Sequence, residues 1–347
     1  MKVRCLYLDL DGTLLGRGAS LVHDGEGRVS LQGMRAIEAC LRAGVEIVLM
    51  SGRRRIQVAE DARLLGQSAY IFESGACVVL GADQLGPGRV ASGTSSNLAS
   101  GTSPDVASGS SNPASGTSSN PASGAPSDLA PVAFSGRSGA SSGASDAMAG
   151  RAGAPAGGEE HWLTGDLQPG ELTIAQQIER SGAPAMLLER YEGRLEYHEP
   201  WHLDREVSHL FRGLVDALEV DTLLAEQGHG QLRLVDNGVV NRRSPALAGL
   251  PHVRGYHLVP AGASKAAAVA FHRQVRGYAR DETFAVGDSR EDLACAEHVG
   301  CFWLVANAVE RDPSIGVAIA QFDNVRVAEA GHGAGVYEAV VSTLVTG

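Results

Sequence analysis

The chain has 347 residues, enough for two ordinary domains and a sizeable core. Its formal net charge of -11 and lack of a basic stripe argue against nucleic acid as a partner, so an anionic ligand would need a local positive site, a metal or a few placed Arg and Lys. Five cysteines (Cys5, Cys40, Cys77, Cys295, Cys301) without CxxC spacing read as buried reduced thiols rather than disulfides or a zinc site, and no run of eighteen apolar residues predicts a membrane span.

The N-terminus enters a strand at once, so no signal peptide is expected and the chain is assigned to the cytoplasm. The run Cys5-Leu6-Tyr7-Leu8-Asp9-Leu10-Asp11-Gly12-Thr13 reads as a buried strand that ends in two carboxylates and a glycine turn. Two carboxylates one residue apart cannot both be buried without a cation or a shared proton. A polar loop, 16–30, precedes a predicted helix over 31–43, closed by Gly44. Residues 45–50 form a second strand that delivers Ser51-Gly52-Arg53. A helix over 54–65 and a strand over 69–72 follow, the latter running into Glu73-Ser74-Gly75-Ala76. This alternation predicts a doubly wound, Rossmann-like parallel α/β sheet.

Residues 86–158 differ in kind: Ser, Gly, Ala, Pro, Thr and Asn with an imperfect octapeptide repeat and no face to bury. They read as a flexible, disordered, low-complexity linker. From 159 to 250 the pattern predicts a mixed unit. It has a helix over 171–181, a hairpin of 185–188 with 195–198 around Glu192-Gly193, and a helix over 207–224. A second hairpin joins 231–235 to 239–240 at Asp236-Asn237-Gly238. The first pattern then returns, with a strand at 255–259, Lys265 opening a helix over 266–275, and a strand over 283–286 ending in Gly287-Asp288. A helix over 293–298, a strand over 301–305 leading to Asn307, a strand over 325–327 and a helix over 335–344 close the chain. The expected organisation is a catalytic core of 1–80 and 253–347. An α+β cap of 81–252 is inserted in it, of which 159–252 is folded.

Four stations stand at strand ends or a helix start, where a parallel sheet brings distant residues together: Asp9 with Asp11, Ser51 with Gly52, Lys265, and Asp288 with Asp292. Hydrolysis of a phosphate ester needs a nucleophile, neutralisation of the non-bridging oxygens and a proton for the leaving oxygen. A carboxylate can attack phosphorus, and hard ligands such as Asp9, Asp288 and a backbone carbonyl suit Mg2+. Ser51 and Lys265 can donate to phosphate oxygens, and Asp11 can protonate the leaving alkoxide.

At these residues the chain resembles the haloacid dehalogenase-like superfamily of phosphohydrolases, whose four motifs occur here in order. The resemblance implies Asp9 as nucleophile and Asp11 as general acid/base, with Ser51, Gly52 and Lys265 at the phosphate. It implies a Mg2+ site built from Asp9, Asp11 through its carbonyl, Asp288 and Asp292. The second acid, Asp11, argues against the dehalogenase branch. Ser51-Gly52-Arg53 and Glu73-Ser74-Gly75-Ala76 resemble the subgroup with its cap between motifs two and three: the Cof-like, sucrose-phosphate and mannosyl-phosphoglycerate phosphatases. Ser74 stands where that subgroup has Asn, and Ser289-Arg290-Glu291 replaces its usual Gly/Ser-x-Asn before Asp292. The implied activity is hydrolysis of a small phosphate ester, a sugar or sugar-acid phosphate, through an aspartyl-phosphate. A phosphotransferase or phosphomutase using the same intermediate, or a non-catalytic binding protein on the same fold, is the alternative. Arg53, Asn307 on the rim, and His198, Trp201, His202, Asn237 and Arg242 of the cap are candidate substrate contacts. Eleven histidines without HxxxH or His-Cys spacing predict no second metal site.

Overall fold

Cys5–Asp9 forms β1, whose five residues are all buried, as a strand covered on both faces must be. The computed structural model describes residues 2–81, 158–240 and 244–346, all within one compact unit. Helix α1 (Gln32–Ala43) ends at Gly44 in the left-handed conformation and feeds β2 (Glu46–Met50). Helix α2 (Arg55–Leu64) and strands β3 (Tyr70–Phe72), β4 (Cys77–Leu80) and β5 (Glu159–Trp162) follow. The next elements are α3 (Ile174–Arg180), α4 (Ala183–Arg190), β6 (Leu195–Tyr197), β7 (His209–Gly213), α5 (Ala217–Glu226), β8 (Leu232–Val239) and β9 (Arg254–Pro260). The chain closes with α6 (Lys265–Arg276), β10 (Thr283–Gly287), α7 (Arg290–Leu293), β11 (Cys301–Leu304), α8 (Ala306–Arg311), α9 (Ile315–Ile319), β12 (Val325–Val327) and α10 (His332–Thr346).

The large sheet has eight strands in the order β12-β11-β10-β1-β2-β3-β4-β5; it is parallel from β12 to β3, with β4 and β5 antiparallel. Side chains alternate across it with the period of two that a strand imposes. Leu6, Leu8, Ile47, Leu49, Phe284 and Val286 pack on the side of α1 and α10, whereas Cys5, Tyr7, Val48, Met50 and Ala285 pack on the side of α6. The doubly wound architecture is therefore present, with an antiparallel edge. A four-stranded antiparallel sheet, β6-β7-β9-β8, packs with α3, α4 and α5 around Ile174, Leu187, Phe211, Val220, Leu234 and Tyr256. Among the described residues no helix is long and apolar enough to cross a membrane.

Several expectations for the inserted unit are corrected. Residues 207–224 are not one helix: 209–213 pair with β9 as β7, and Asp216 caps α5 by accepting the N–H groups of Leu218 and Glu219. Residues 185–188 lie in helix α4, which Pro184 helps to start, and β6 pairs with β7 rather than with its predicted hairpin partner. Asp236-Asn237-Gly238 is no hairpin turn but a bulge inside β8, where Gly238 has φ 89 and strand pairing resumes at Val239. The strand at 255–259 sits inside the small sheet, and 159–162 form an edge of the large one, so sheet membership crosses the boundaries drawn at 252 and 81. All but the last residue of the expected linker at 86–158 lies outside the described residues.

Candidate active site

The strand order sets β10, β1 and β2 side by side, and Lys265 reaches from the start of α6 to Asp9 and Asp292, so the four stations converge at one end of the sheet. Asp9, at the end of β1, is 4% exposed. Its Oδ1 accepts a hydrogen bond from Lys265 Nζ at 2.7 Å, and the same ammonium donates to Asp292 Oδ1 at 2.7 Å. Lys265 opens α6, whose first turn is capped by Ser264, and this fixes where the lysine leaves the helix. Burial pushes the Asp9 carboxyl up to about 7; the nearby Asp292 charge adds to the shift and Lys265 opposes it. Asp9 Oδ2 is buried and has no hydrogen-bond partner.

Asp288, just past β10, accepts from Thr13 Oγ1 at 3.4 Å and from Arg311 Nη1 at 3.0 Å. Its carboxyl is also raised, by burial first and then by Asp9 and Asp292. Ligand atoms of Asp9, Asp288 and Asp292 lie within 4.8 Å of one another. Three carboxylates beside one lysine, with one buried oxygen unpartnered, are hard oxygen donors of the kind that suits a divalent cation. Asp292 is the most constrained of the three, since its Oδ2 takes the N–H of Asp288 and of Ser289 and the Ser289 hydroxyl. Gly12 is required beside it: it has φ 85, and a Cβ there would stand 2.1 Å from Asp288 Oδ2.

Asp11 points away from this cluster. Its half-exposed carboxylate is held by Arg53 in a two-point pair, Nε to Oδ2 and Nη2 to Oδ1, both at 2.6 Å, while Arg53 Nη1 binds Asp61 at 2.8 Å. Ser51, buried at the end of β2, accepts the Arg53 N–H at 3.1 Å. Asp9, Asp11, Ser51, Gly52, Arg53, Lys265, Asp288 and Asp292 all line one cavity of about 540 Å³. His198, Trp201 and Asn237 line it as well. Asn307 does not line it. Its amide donates to the Gly12 carbonyl and accepts from the His332 N–H, both at 2.8 Å, so it braces the turn after Asp11 instead of facing a substrate. His202 stacks on Tyr197 and is likewise absent from the lining, and Arg242 lies outside the described residues.

Sequence reasoning missed Arg205, His257 and Arg311, and it placed Glu73 in a strand-end motif without giving it a role. Glu73 is fully buried and accepts the N–H groups of Glu206 (2.8 Å), Val207 (3.2 Å) and Ser208 (2.7 Å) together with the Ser208 hydroxyl (2.7 Å). Arg205 Nη1 donates to the Gly52 carbonyl and to Ser208 Oγ, both at 3.0 Å. The Ser208 hydroxyl hydrogen is committed to Glu73, so His257 Nδ1, 3.2 Å from Ser208 Oγ, is the donor in that contact. Burial, with the positive charges of Arg205 and Lys265, holds His257 neutral far below the usual histidine range. The signal available in sequence was a lone acid at the end of an apolar strand, Phe72-Glu73; its four partners lie more than 130 residues away.

The mixed eight-stranded sheet with Asp9 at the end of a central strand, Lys265 and Asp288 beside it, and a second, four-stranded sheet is a fold that solved structures share. Among solved structures, the chain is similar to the sucrose-phosphatase of Synechocystis sp. PCC6803 in complex with sucrose and phosphate, at 13% identity and TM-score 0.55, over 99% of this chain and 98% of that one. It is also similar to protein 0175 of Thermoplasma acidophilum, at 15% identity and TM-score 0.51, over 99% of both chains. At these identities the likeness is one of fold. No family model and no curated protein matches the sequence.

Proposed function

We propose that this chain is a Mg2+-dependent phosphomonoesterase that hydrolyses a small phosphate ester, a sugar or sugar-acid phosphate, through an aspartyl-phosphate on Asp9. One observation carries the reading: Asp9, whose buried Oδ2 has no hydrogen-bond partner, lines a cavity together with Ser51 and Lys265, with two further carboxylates within cation-sharing distance. The fold shared with a sucrose-phosphatase supports the substrate class. Asp9 attacks phosphorus as the bond to the leaving oxygen breaks, and Asp11 gives that oxygen its proton. Water then attacks the same phosphorus, returns a proton to Asp11, and frees Asp9 and inorganic phosphate. Ser51 and Lys265 donate to the non-bridging oxygens. For the first proton transfer, Asp11 turns inward from its Arg53 clamp. Asp9, Asp288 and the Asp11 carbonyl would hold the metal, with Asp292 orienting Asp288 and Lys265. When bound, Mg2+ supplies neutralisation of the carboxylates and of the phosphoryl oxygens.

The test is phosphate release from a panel of sugar phosphates, sugar-acid phosphates and nucleotides, with Mg2+ and with EDTA. Release from a few related sugars, lost in EDTA, is the expected result. Asp9→Asn should lower it about a thousandfold or more while leaving the far-UV circular dichroism unchanged. Retained turnover in that variant removes the nucleophile assignment. Turnover only when an acceptor sugar is added makes the protein a transferase.

A further inference from the structure

At the end of β1 opposite Asp9, roughly 13 Å along the strand at about 3.3 Å per residue, three unlike side chains meet that the proposed reaction does not use. Cys5 begins β1, Glu46 begins β2 and His272 lies on the buried side of α6. A thiol sulfur, a carboxylate oxygen and an imidazole nitrogen from these residues lie within 4.8 Å of one another. Cys5 and His272 are fully buried, whereas the Glu46 side chain keeps 22% of its surface exposed. His272 Nε2 is buried without a hydrogen-bond partner, and the nearest acid, Glu46 Oε1, is 3.7 Å away. The other ring nitrogen, Nδ1, is 3.0 Å from the Tyr7 hydroxyl. That oxygen can accept Nδ1–H, which fixes the tautomer whose Nε2 lone pair faces the cluster, the usual outer-shell partner of a metal-ligating histidine.

We propose that Cys5, Glu46 and His272 form a site for one Zn2+, separate from the carboxylate cluster around Asp9. One thiolate, one imidazole and one carboxylate make a donor set that suits Zn2+ and is too soft for Mg2+ or Ca2+. Binding expels the thiol proton to solvent. The ion, a thiolate, a carboxylate and a neutral imidazole then sum to zero charge, so no uncompensated charge is buried. Burial keeps the imidazole in its neutral, ligating form, with its pKa lowered to about 3. Arg276 stands 3.3 Å from Glu46 Oε1 and also donates to the Gly81 carbonyl at 3.2 Å, a partner it retains when Glu46 turns to the ion. The partly exposed Glu46 gives the ion its entry path and leaves the fourth position to water. Zn2+ there would fasten the starts of β1 and β2 to α6, elements 41 and more than 220 residues apart in the chain.

Co2+ is the probe, because only a thiolate ligand gives an intense sulfur-to-metal charge-transfer band in the near ultraviolet and the Asp9 cluster has none. The full chain, stripped of metal and held in excess Mg2+, is titrated with Co2+ and then with Zn2+. The expected result is a band that saturates at one equivalent, is bleached by one equivalent of Zn2+, persists in Asp288→Asn, and disappears in Cys5→Ala and His272→Gln. Absence of the band, or its survival in Cys5→Ala, overturns the proposal. Should Cys5→Ala fail to fold, Glu46→Gln at the exposed edge decides: Co2+ affinity should fall at least ~10-fold, and unchanged affinity overturns the site.

Discussion

Two carboxyl groups and one ammonium, all nearly fully buried, meet at 2.7 Å: Asp9, Asp292 and Lys265. Removing one partner of a buried ion network leaves a charge with neither water nor counter-ion, which costs far more than the intact network contributes. Lys265→Met should therefore lower stability by about 3–5 kcal/mol in urea unfolding, besides abolishing phosphate release. A loss below ~1 kcal/mol would mean that water or sodium reaches the site freely. His257 adds a pH dependence of definite sign. Its folded pKa lies far below 6.5 and its unfolded pKa near 6.5, so the unfolded chain takes up the proton first. The stability it allows is complete above pH ~6.5 and is lost as pH falls below that value, with a slope of up to about 1.4 kcal/mol per pH unit. Urea unfolding at stepped pH should show His257→Gln with a shallower acid slope than the wild type. Asp9, Ser51, Lys265 and Asp288 were legible from sequence because each pairs a telling residue type with a strand end or helix start. Glu73, Arg205 and His257 were not, because their roles rest on partners that no local pattern announces.

Glu73 joins the turn after β3 to the segment leading into β7 through three backbone N–H groups and a hydroxyl. An amide in its place would face some of these donors with a donor of its own. Glu73→Gln should then cost about 2–3 kcal/mol. It should also speed limited proteolysis between β6 and β7, and raise KM more than it lowers kcat. Equal protease resistance in variant and wild type would show that the cap docks by other contacts. The same segment shows why the inserted unit was misread. The Leu and Phe of 209–213 fit a helical stripe as well as a strand, and only pairing with β9 settles the choice. Gly238 reads as a hairpin glycine in isolation, but β8 continues through it because β9 supplies partners on both sides of the bulge. The core elements gave no such ambiguity: β1, β2 and β10 are too short, apolar and turn-bounded to be helices.

For the molecule as a whole, the carboxylate cluster gathers like charges that a bound cation would offset. Any ligand bound only by the folded state raises stability by mass action, about 2.7 kcal/mol at a hundredfold excess over Kd. Mg2+ should thus raise the melting temperature of the wild type in calorimetry, and Asp288→Asn should lose most of that gain. An equal gain in both would place the ion elsewhere. Taken by itself, the sequence determined the doubly wound sheet and the residue types of the four stations. Strand periodicity, glycine turns and charged residues at strand ends are local properties written along the chain. The tertiary structure alone decided which sheet receives 159–162 and 254–260, that Asp11 is clamped by Arg53, that Asn307 braces a turn, and that Cys5, Glu46 and His272 meet. Those outcomes depend on which residues become neighbours when distant strands pair, and register and packing are settled by the whole core at once.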